Sequence, residues 1–320
     1  MAHPGIGVGT WAWGNQLLWG YAPGDDARLQ ASFEAAVAAG LRFFDTADSY
    51  GTGRFNGRSE ALLGRFAAAL PSQGRRSLCL ATKLAPFPWR LGRRGFDRAL
   101  AASEQRLGGA IDRVQLHWST CRYAPWQEGP LLEGLADQVA CGRIGELGLS
   151  NVGPRRLRQI HQAMQRRGVR LQSLQVQLSL LCQQPLQPGG IAEVCRELGV
   201  DLIAYSPLAL GLLTRLEPCR NLPSKGPRRW LFQRLGPQIT PLLRLMGEIG
   251  DGHGASLTAV ALNWCRAHGA MPIPGLRRPE QVADGAQALS WQLDQDERIA
   301  LDRAAAPMAA AMPANPFQSD

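Results

Sequence analysis

Apolar positions along the chain follow two patterns that alternate from one end to the other. Short, nearly continuous apolar runs are separated by longer segments in which apolar residues recur every three or four positions. The short runs are typical of buried strands, and the longer segments are typical of amphipathic helices. The predicted strands are residues 6–10, 41–45, 78–83, 114–117, 144–150, 174–177, 202–205 and 271–273. The predicted helices are residues 28–39, 59–70, 96–107, 130–141, 154–166, 191–198, 257–268 and 279–289.

Eight strands, each followed by a helix, predict a parallel sheet closed into a (β/α)8 barrel, the TIM barrel of the α/β class. An open doubly wound sheet is the competing architecture, but it requires a GxGxxG turn that leads from the first strand into a helix. The glycines found here are Gly5, directly before the first predicted strand, and Gly7 and Gly9 inside it, so they do not open a helix. The barrel is therefore the preferred fold, as a single domain over residues 1–320.

Three features lie outside this regular alternation. Residues 207–255 form a long loop after the seventh strand, with an extra helix expected near residues 238–249. The tail after Asp302 is rich in alanine and proline, and we expect it to be loosely ordered. Proline stands where the first turn of a helix tolerates a missing N–H, at Pro130, Pro154 and Pro279.

Composition narrows the class of protein. The chain has 320 residues, of which 45% are hydrophobic, enough for a substantial core. It has no apolar run long enough to cross a membrane and no signal-like start, which predicts a cytoplasmic protein without a membrane partner. Its seven cysteines are scattered, without a CxxC pair or a histidine at metal-ligand spacing, so neither a metal site nor a disulfide is expected.

The formal net charge is +9, and nearly all of the positive charge is carried by arginines in scattered pairs. A nucleic-acid surface concentrates its basic residues and places aromatic residues between them. The sequence shows no such tract, so we expect no nucleic-acid partner. An anionic small molecule is compatible with the charge. The sequence gives no oligomeric state.

Polar and titratable residues stand at the ends of several predicted strands. Asp45 ends the second strand with Tyr50 shortly after it, Lys83 ends the third, and His117 ends the fourth. The carboxyl ends of the strands form the active-site mouth of a (β/α)8 barrel. Taken singly, Asp45 could cap a turn and His117 could be a structural histidine. Their joint position at matched strand ends favours a shared site.

This combination suits the reduction of a carbonyl group. A hydride delivered to the carbonyl carbon leaves negative charge on the oxygen, which a nearby acid must protonate. Lys83 follows an apolar strand, so its ammonium needs an anionic partner, and Asp45 is the natural one. We expect Lys83 to lower the pKa of the Tyr50 phenol and make it a better proton donor. His117 would hydrogen-bond to the carbonyl oxygen.

Six short blocks in this order resemble the aldo-keto reductases. They are FDTADSYG at 44–51, ATK at 81–83, QLHW at 115–118, GLSN at 148–151, AYSPLALGLLT at 204–214 and PIPG at 272–275. GTWAWGNQLLWGY at 9–21 and PWR at 88–90 are most similar to a branch found in cyanobacteria and plant plastids. The resemblance covers nearly the whole chain.

The resemblance implies a barrel that binds NADPH or NADP+ without a Rossmann fold. It implies a catalytic tetrad of Asp45, Tyr50, Lys83 and His117, with Tyr50 as the proton donor. It also implies cofactor contacts from Thr10, Trp11, Asp45, Ser150, Asn151, Gln175, Tyr205, Ser206, Leu208, Gly211, Gly275, Arg277, Gln281 and Asp284.

Each part of the cofactor has its own residues in this resemblance. The nicotinamide carboxamide would be held by Ser150, Asn151 and Gln175, and Tyr205 would stack under the nicotinamide ring. The pyrophosphate would lie along Ser206, Leu208 and Gly211. The adenosine 2′-phosphate would be received by residues 275–285, with a guanidinium of Arg277 or Arg278 as a bidentate clamp.

Three positions depart from the family pattern. Gly285 stands where the family usually has an asparagine that contacts adenine, so that contact should be missing. Gln177 replaces a residue that is commonly asparagine, and Ser119 replaces a proline. These last two bear on the shape of the pocket and leave the tetrad intact.

Two functions follow as hypotheses. The first is an NADPH-dependent reductase that converts small aldehydes or ketones to alcohols. The second is a redox sensor or regulatory subunit that binds NADPH tightly and turns over little, with the long loop after the seventh strand trapping the cofactor. The natural substrate is not readable, although several aromatic residues are candidates for the wall of its pocket: Trp11, Trp13, Trp19, Tyr21, Trp89, Trp118 and Trp126.

Overall fold

A computed structural model describes residues 4–223, 226–313 and 315–319. Within these residues eight parallel strands form one sheet in chain order, each hydrogen-bonded to the next. The strands are β1 (Val8–Gly9), β2 (Phe43–Asp45), β3 (Cys79–Leu84), β4 (Ile111–Leu116), β5 (Ile144–Ser150), β6 (Leu171–Gln177), β7 (Asp201–Tyr205) and β8 (Ala270–Ile273). The structure confirms the predicted (β/α)8 barrel, and the competing prediction of an open doubly wound sheet is wrong.

Helices connect the strands and cover the outside of the barrel. They are α1 (Gln16–Trp19), α2 (Asp26–Ala38), α3 (Arg58–Ala68), α4 (Ser72–Arg76), α5 (Asp97–Leu107), α6 (Pro125–Ala140), α7 (Pro154–Arg166), α8 (Ile191–Leu198), α9 (Pro227–Leu235), α10 (Thr240–Gly252), α11 (Leu257–Ala267), α12 (Pro279–Gln287) and α13 (Gln295–Ala305). No helix in the described part of the chain is long and apolar enough to cross a membrane.

The barrel closes between β8 and β1, and glycines make the closure possible. The backbone N–H of Gly7 donates to Pro272 O at 3.0 Å, and that of Gly9 donates to Pro274 O at 2.9 Å. A Cβ on Gly9 would lie 2.8 Å from the backbone oxygen of Ile273, which is too close for any side chain. The glycines of the first strand therefore serve close packing against β8.

Two expectations about helix positions are resolved by the structure. The predicted helix start at Pro130 is wrong, because α6 begins at Pro125 and Pro130 lies inside it. Pro125 takes the first-turn position where proline is tolerated. The extra helix expected near residues 238–249 is confirmed as α10, and the same long loop also contains α9.

Described residues after Asp302 make defined contacts, and the expectation of a loosely ordered tail stays a prediction. Residues up to Ala305 belong to α13. Beyond the helix, the N–H of Met312 donates to Leu181 O at 3.2 Å, and the side chain of Ser319 is only 4% exposed. The described residues of the tail thus reach the segments that follow β5 and β6, at the carboxyl ends of the strands.

Candidate active site

The polar residues of the site lie directly above an apolar layer inside the barrel. The lower layer contains Phe43, Ala81, Ile203 and Ile273, which pack against one another. Side chains two residues apart on a strand point to the same face. The residues two positions further along β2, β3 and β7 therefore point into the mouth, and they are Asp45, Lys83 and Tyr205. The pleat of the strands thus brings three predicted site residues together.

Lys83 and Asp45 form a buried ion pair at the centre of the mouth. Lys83 Nζ lies 2.6 Å from Asp45 Oδ2 and also donates to Thr46 O at 2.8 Å. The other carboxylate oxygen, Asp45 Oδ1, accepts hydrogen bonds from Gln115 Nε2 at 3.0 Å and Gln175 Nε2 at 2.8 Å. Because both side chains are at most 2% exposed, these bonds compensate for the loss of water.

Tyr50 and His117 face this ion pair. Lys83 Nζ lies 4.9 Å from the centre of the Tyr50 ring, and the Tyr50 and His117 rings meet edge to face with their centres 5.8 Å apart. His117 Nδ1 lies 3.4 Å from Ser49 Oγ. The loop after β2 carries Tyr50 over the barrel, so the four tetrad residues share one small volume.

The protonation states differ from the expectation in one respect. Burial raises the pKa of Tyr50 well above its ordinary value, and the Asp45 carboxylate adds to this rise, so the expectation of a lowered phenol pKa is wrong. Burial also lowers the pKa of His117 well below its ordinary value, with a smaller contribution from the Lys83 charge. Burial lowers the pKa of Lys83, while Asp45 opposes that effect. At neutral pH the phenol and the imidazole are both uncharged.

Backbone strain is concentrated around the mouth. Among the described residues, four that are not glycine have a positive φ: Asn151, Ser206, Ala209 and Leu210. All four follow β5 or β7 at their carboxyl ends. Such conformations cost free energy and persist where the surrounding structure enforces them, frequently at binding sites. Ser206, Leu208 and Gly211, the predicted pyrophosphate residues, belong to this strained loop after β7.

Two arginines flank the indole of Trp19 next to this loop. The guanidinium carbon of Arg228 lies 4.0 Å from the Trp19 ring centre, and that of Arg277 lies 5.0 Å from it. Arg228 Nη2 donates to Leu210 O at 3.0 Å. Within the described ranges neither guanidinium forms an ion pair, and the indole N–H of Trp19 has no hydrogen-bond acceptor.

Among the described residues neither arginine has an ion-pair partner, although the lowering of the Arg277 pKa by burial is partly opposed by the Asp25 carboxylate. Burial lowers the pKa of Arg228 to about 10, and the neighbouring charge of Arg277 contributes to the shift. Like charges held together without an ion-pair partner are suited to binding an anion. The sequence hypothesis included Arg277 but missed Arg228, because it lies far along the chain in the loop after β7. Its pairing with Trp19 had no signature in the sequence.

The remaining predicted cofactor residues lie in several places, some of them near the arginine pair and others in the barrel wall or at the seam. Arg277 N donates to Gln281 Oε1 at 3.0 Å, so Gln281 lies beside the arginine pair, while Asp284 on the same helix is exposed. Thr10 is fully buried, and its hydroxyl is 2.7 Å from Ser59 Oγ, which leaves it inside the barrel wall. Trp11 meets Trp19 edge to face at 6.2 Å, and Gly275 pairs with Gly9 at the seam.

Aromatic rings line the opposite side of the mouth. Trp118 contacts His117, with ring centres 5.1 Å apart, and stacks on Phe317 at 4.5 Å. Phe87 meets Trp118 edge to face at 5.9 Å and stacks on Trp89 at 4.8 Å. Of the predicted wall residues, Trp118 therefore lies at the mouth, while Trp89 is mostly exposed and contacts Phe87. Phe317 was missed because the tail was expected to be loosely ordered.

Two other aromatic candidates for the pocket wall, Trp13 and Tyr21, have structural roles. Ser119 also has a structural role, in the loop after β4. Trp13 is fully buried and donates to Leu276 O at 3.0 Å, while the Tyr21 hydroxyl donates to Asp26 Oδ1 at 2.7 Å. Ser119, at the position of the family proline, donates to the buried carboxylate of Glu128. Glu128 also accepts from Thr120 N at 3.0 Å, which fixes the loop that carries His117 and Trp118.

The fold is a parallel (β/α)8 barrel, and one mouth holds a buried lysine–carboxylate pair, a phenol and an imidazole, which marks it as the active-site end. The sequence model of the aldo/keto reductase family matches residues 5–306. The chain belongs to that family.

Comparisons with individual proteins agree with this family assignment. The chain is 46% identical to the chloroplastic pyridoxal reductase of Arabidopsis thaliana, over 98% of this chain and 86% of the relative. A glycerol dehydrogenase from Gluconobacter oxydans has a similar fold, with a TM-score of 0.77, 24% identity, and 99% and 97% of the two chains covered.

An aldo-keto reductase from Klebsiella pneumoniae, solved with NADPH, has a TM-score of 0.70 and 23% identity, with 100% and 99% covered. At such identities both likenesses show the fold. Because the Arabidopsis relative is named as chloroplastic, the cytoplasmic location of this chain stays a prediction.

Proposed function

We propose that the protein is an NADPH-dependent reductase that converts aldehydes or ketones to alcohols, with Tyr50 as the proton donor. The observation that carries the proposal is the buried Lys83–Asp45 pair beneath the Tyr50 ring, with His117 beside it. Family membership supports the class of reaction. The Klebsiella relative was solved with NADPH, which supports the choice of cofactor.

The residues of this chain fit a dinucleotide with phosphate groups. Among the described residues, Arg228 and Arg277 offer two guanidiniums without an ion-pair partner, and Trp19 offers an indole N–H without an acceptor. The strained loop from Ser206 to Gly211 reaches the same region, because Arg228 Nη2 donates to Leu210 O. We assign the pyrophosphate to this loop and Arg228. Arg277, together with Gln281, is assigned to the adenosine 2′-phosphate.

Each tetrad residue has a defined task in this proposal. When bound, NADPH supplies the hydride. Tyr50 holds the proton on its hydroxyl oxygen and gives it to the carbonyl oxygen of the substrate. Lys83, fixed by Asp45, places a positive charge beneath the phenol and stabilises the phenolate that remains. Neutral His117 donates a hydrogen bond to the same carbonyl oxygen and orients it.

The aromatic side of the mouth favours a flat substrate. Trp118, Phe317 and Phe87 offer ring faces and edges next to His117. An aromatic or heteroaromatic aldehyde would pack there with ring contacts worth about 0.5–1.5 kcal/mol each. The name of the Arabidopsis relative supports pyridoxal as the first compound to test.

Replacing Tyr50 with phenylalanine tests the proposed mechanism. We expect Tyr50→Phe to lower kcat for aldehyde reduction by about 10²- to 10⁴-fold, because the proton donor is lost while the ring remains. NADPH binding, measured by calorimetry, should stay within about twofold of the unaltered protein. Tyr21→Phe is the matched control, since it removes a phenol hydroxyl outside the site. Wild-type rates in Tyr50→Phe would refute Tyr50 as the donor.

A regulatory protein that retains NADPH is the second candidate. Arg228 favours it, because this side chain connects α9 to Leu210 O and to Trp19 and so closes the long loop onto the mouth. The two functions differ in turnover. Multiple-turnover rates of about 1 per second or faster with pyridoxal or benzaldehyde would support the reductase. Slow NADPH release without turnover would support the regulatory protein.

A further inference from the structure

Residues 315–319, here called the strap, bind to the mouth of the barrel through both polar and aromatic contacts. Asn315 Nδ2 donates to Asn151 Oδ1 and to the Tyr205 hydroxyl, each at 2.7 Å. Phe317 stacks on Trp118. Ser319 N donates to Asn151 O at 3.2 Å, and Ser319 Oγ accepts from Gly153 N at 3.1 Å. The strap therefore connects the predicted nicotinamide residues to the aromatic wall.

The side chain of Asn151 has no hydrogen-bonding capacity left in this arrangement. Its Nδ2 donates to His117 O at 3.0 Å and to Ser150 Oγ at 3.1 Å. Its Oδ1 accepts from Tyr205 at 3.0 Å and from Asn315 at 2.7 Å. An asparagine amide has two N–H donors and one oxygen with two lone pairs, so all four positions are used. Any ligand that binds the Asn151 amide must replace one of these partners.

Asn315 is the partner best placed to leave. Ser150, His117 and Tyr205 belong to strands of the barrel or directly follow them. Asn315 instead lies beyond the last helix, on a segment held by a few hydrogen bonds and one ring stack. Its side chain is a primary carboxamide, the same chemical group that the nicotinamide ring carries. The two carboxamides would compete for Asn151 Oδ1.

We propose that Asn315 occupies the carboxamide-binding position of the nicotinamide site and is displaced when NADPH binds. The inference rests on the proposed placement of the nicotinamide at Asn151. Displacement of Asn315 also weakens the attachment of the strap, which carries Phe317 on the aromatic wall. Binding of the cofactor thereby changes the wall against which the carbonyl substrate packs. The strap makes the substrate pocket dependent on the occupied cofactor site.

The test compares NADPH with adenosine 2′,5′-bisphosphate, which carries the phosphates but no nicotinamide. Calorimetry of Asn315→Ala should show a Kd for NADPH lowered by about 2- to 10-fold, the factor expected from the loss of one competing hydrogen bond. The Kd for adenosine 2′,5′-bisphosphate should not change. Gln318→Ala is the matched control, since among the described residues its amide donates only to Ser319 O, within the strap.

A second readout follows the strap itself. Hydrogen exchange at the N–H of Ser319 should become faster when NADPH binds to the unaltered protein, because the strap loses its Asn315 contacts. In Asn315→Ala that exchange should already be fast without cofactor. A higher Kd for NADPH in Asn315→Ala, an unchanged Kd, or slower exchange on binding would each overturn the inference.

The same measurements separate this inference from the proposed reaction. Both readouts are made without substrate, so they can be repeated in Tyr50→Phe. If Asn315→Ala tightens NADPH binding in that background while no carbonyl compound is reduced by the unaltered protein, the strap is supported and the reductase proposal fails. If reduction proceeds and the affinity does not rise, the reductase stands and the role of Asn315 is wrong.

Discussion

At the scale of single residues, alternation along the strands explains most of the site. Phe43 and Asp45 share one face of β2, as Ala81 and Lys83 share one face of β3. An apolar layer and a charged layer therefore follow one another along the barrel axis. The sequence could predict this, because strand ends are visible as the end of an apolar run. It could not predict the direction of the Tyr50 pKa, which depends on burial more than on the nearby ammonium.

The pH dependence of reduction tests these protonation states. The phenol, with its pKa raised from an ordinary 10.0, keeps its proton through the neutral and weakly alkaline range. The His117 pKa, lowered from 6.5, leaves the imidazole neutral in the same range. We expect kcat/KM to be constant through the neutral and weakly alkaline range and to fall at higher pH, where the phenol loses its proton. A phenol pKa lowered by Lys83 would instead make kcat/KM fall inside the range.

At the scale of elements, the regular helices and strands followed from the sequence better than the connections did. The hydrophobic pattern placed β5, α7 and α8 at their observed bounds. It missed α9, and with it the approach of Arg228 to Trp19. Such pairs depend on how a long loop returns to the barrel, and nothing in the local residue pattern encodes that path. The position of the strap, at the end of the chain, could not be predicted for the same reason.

The two arginines should contribute to different parts of the cofactor. We expect Arg228→Ala to weaken both NADPH and NADH binding by about 10- to 100-fold, because it removes a charged partner of the pyrophosphate. Arg277→Ala should weaken NADPH and leave NADH nearly unchanged, because NADH has no 2′-phosphate. Calorimetry with both cofactors measures these effects.

Arg229→Ala is the control for both arginine variants, since Arg229 is an exposed arginine on the same helix as Arg228. A loss of NADH affinity in Arg277→Ala would contradict the assignment of Arg277 to the 2′-phosphate.

At the scale of the whole molecule, the barrel depends on its seam. The strands β1 and β2 are short, and β1 meets β8 through hydrogen bonds from Gly7 and Gly9. The sequence predicted the eight-strand order, and it placed both glycines inside the first strand, whereas β1 contains Gly9 and begins just after Gly7. The close approach of β8, which is the reason for the glycines, became clear only from the structure.

A methyl group at the seam should destabilise the barrel. Gly9→Ala would place a Cβ 2.8 Å from Ile273 O, so we expect the free energy of unfolding to fall by about 1–3 kcal/mol. Gly5→Ala is the control, because no atom lies within 4 Å of its Cβ position, and its effect should stay within about 0.5 kcal/mol. Urea denaturation measures both. Equal stability of the two variants would mean that the seam adjusts freely.

The position of Trp19 has a consequence for observing the molecule. Its indole lies against two guanidiniums, and its N–H has no acceptor among the described residues. The emission of an indole depends on the electric field across its rings. Phosphate groups bound by the two arginines would change that field and give the N–H an acceptor. Trp19 is thus an intrinsic fluorophore whose emission wavelength and intensity would report whether phosphate groups occupy the proposed site at the two arginines.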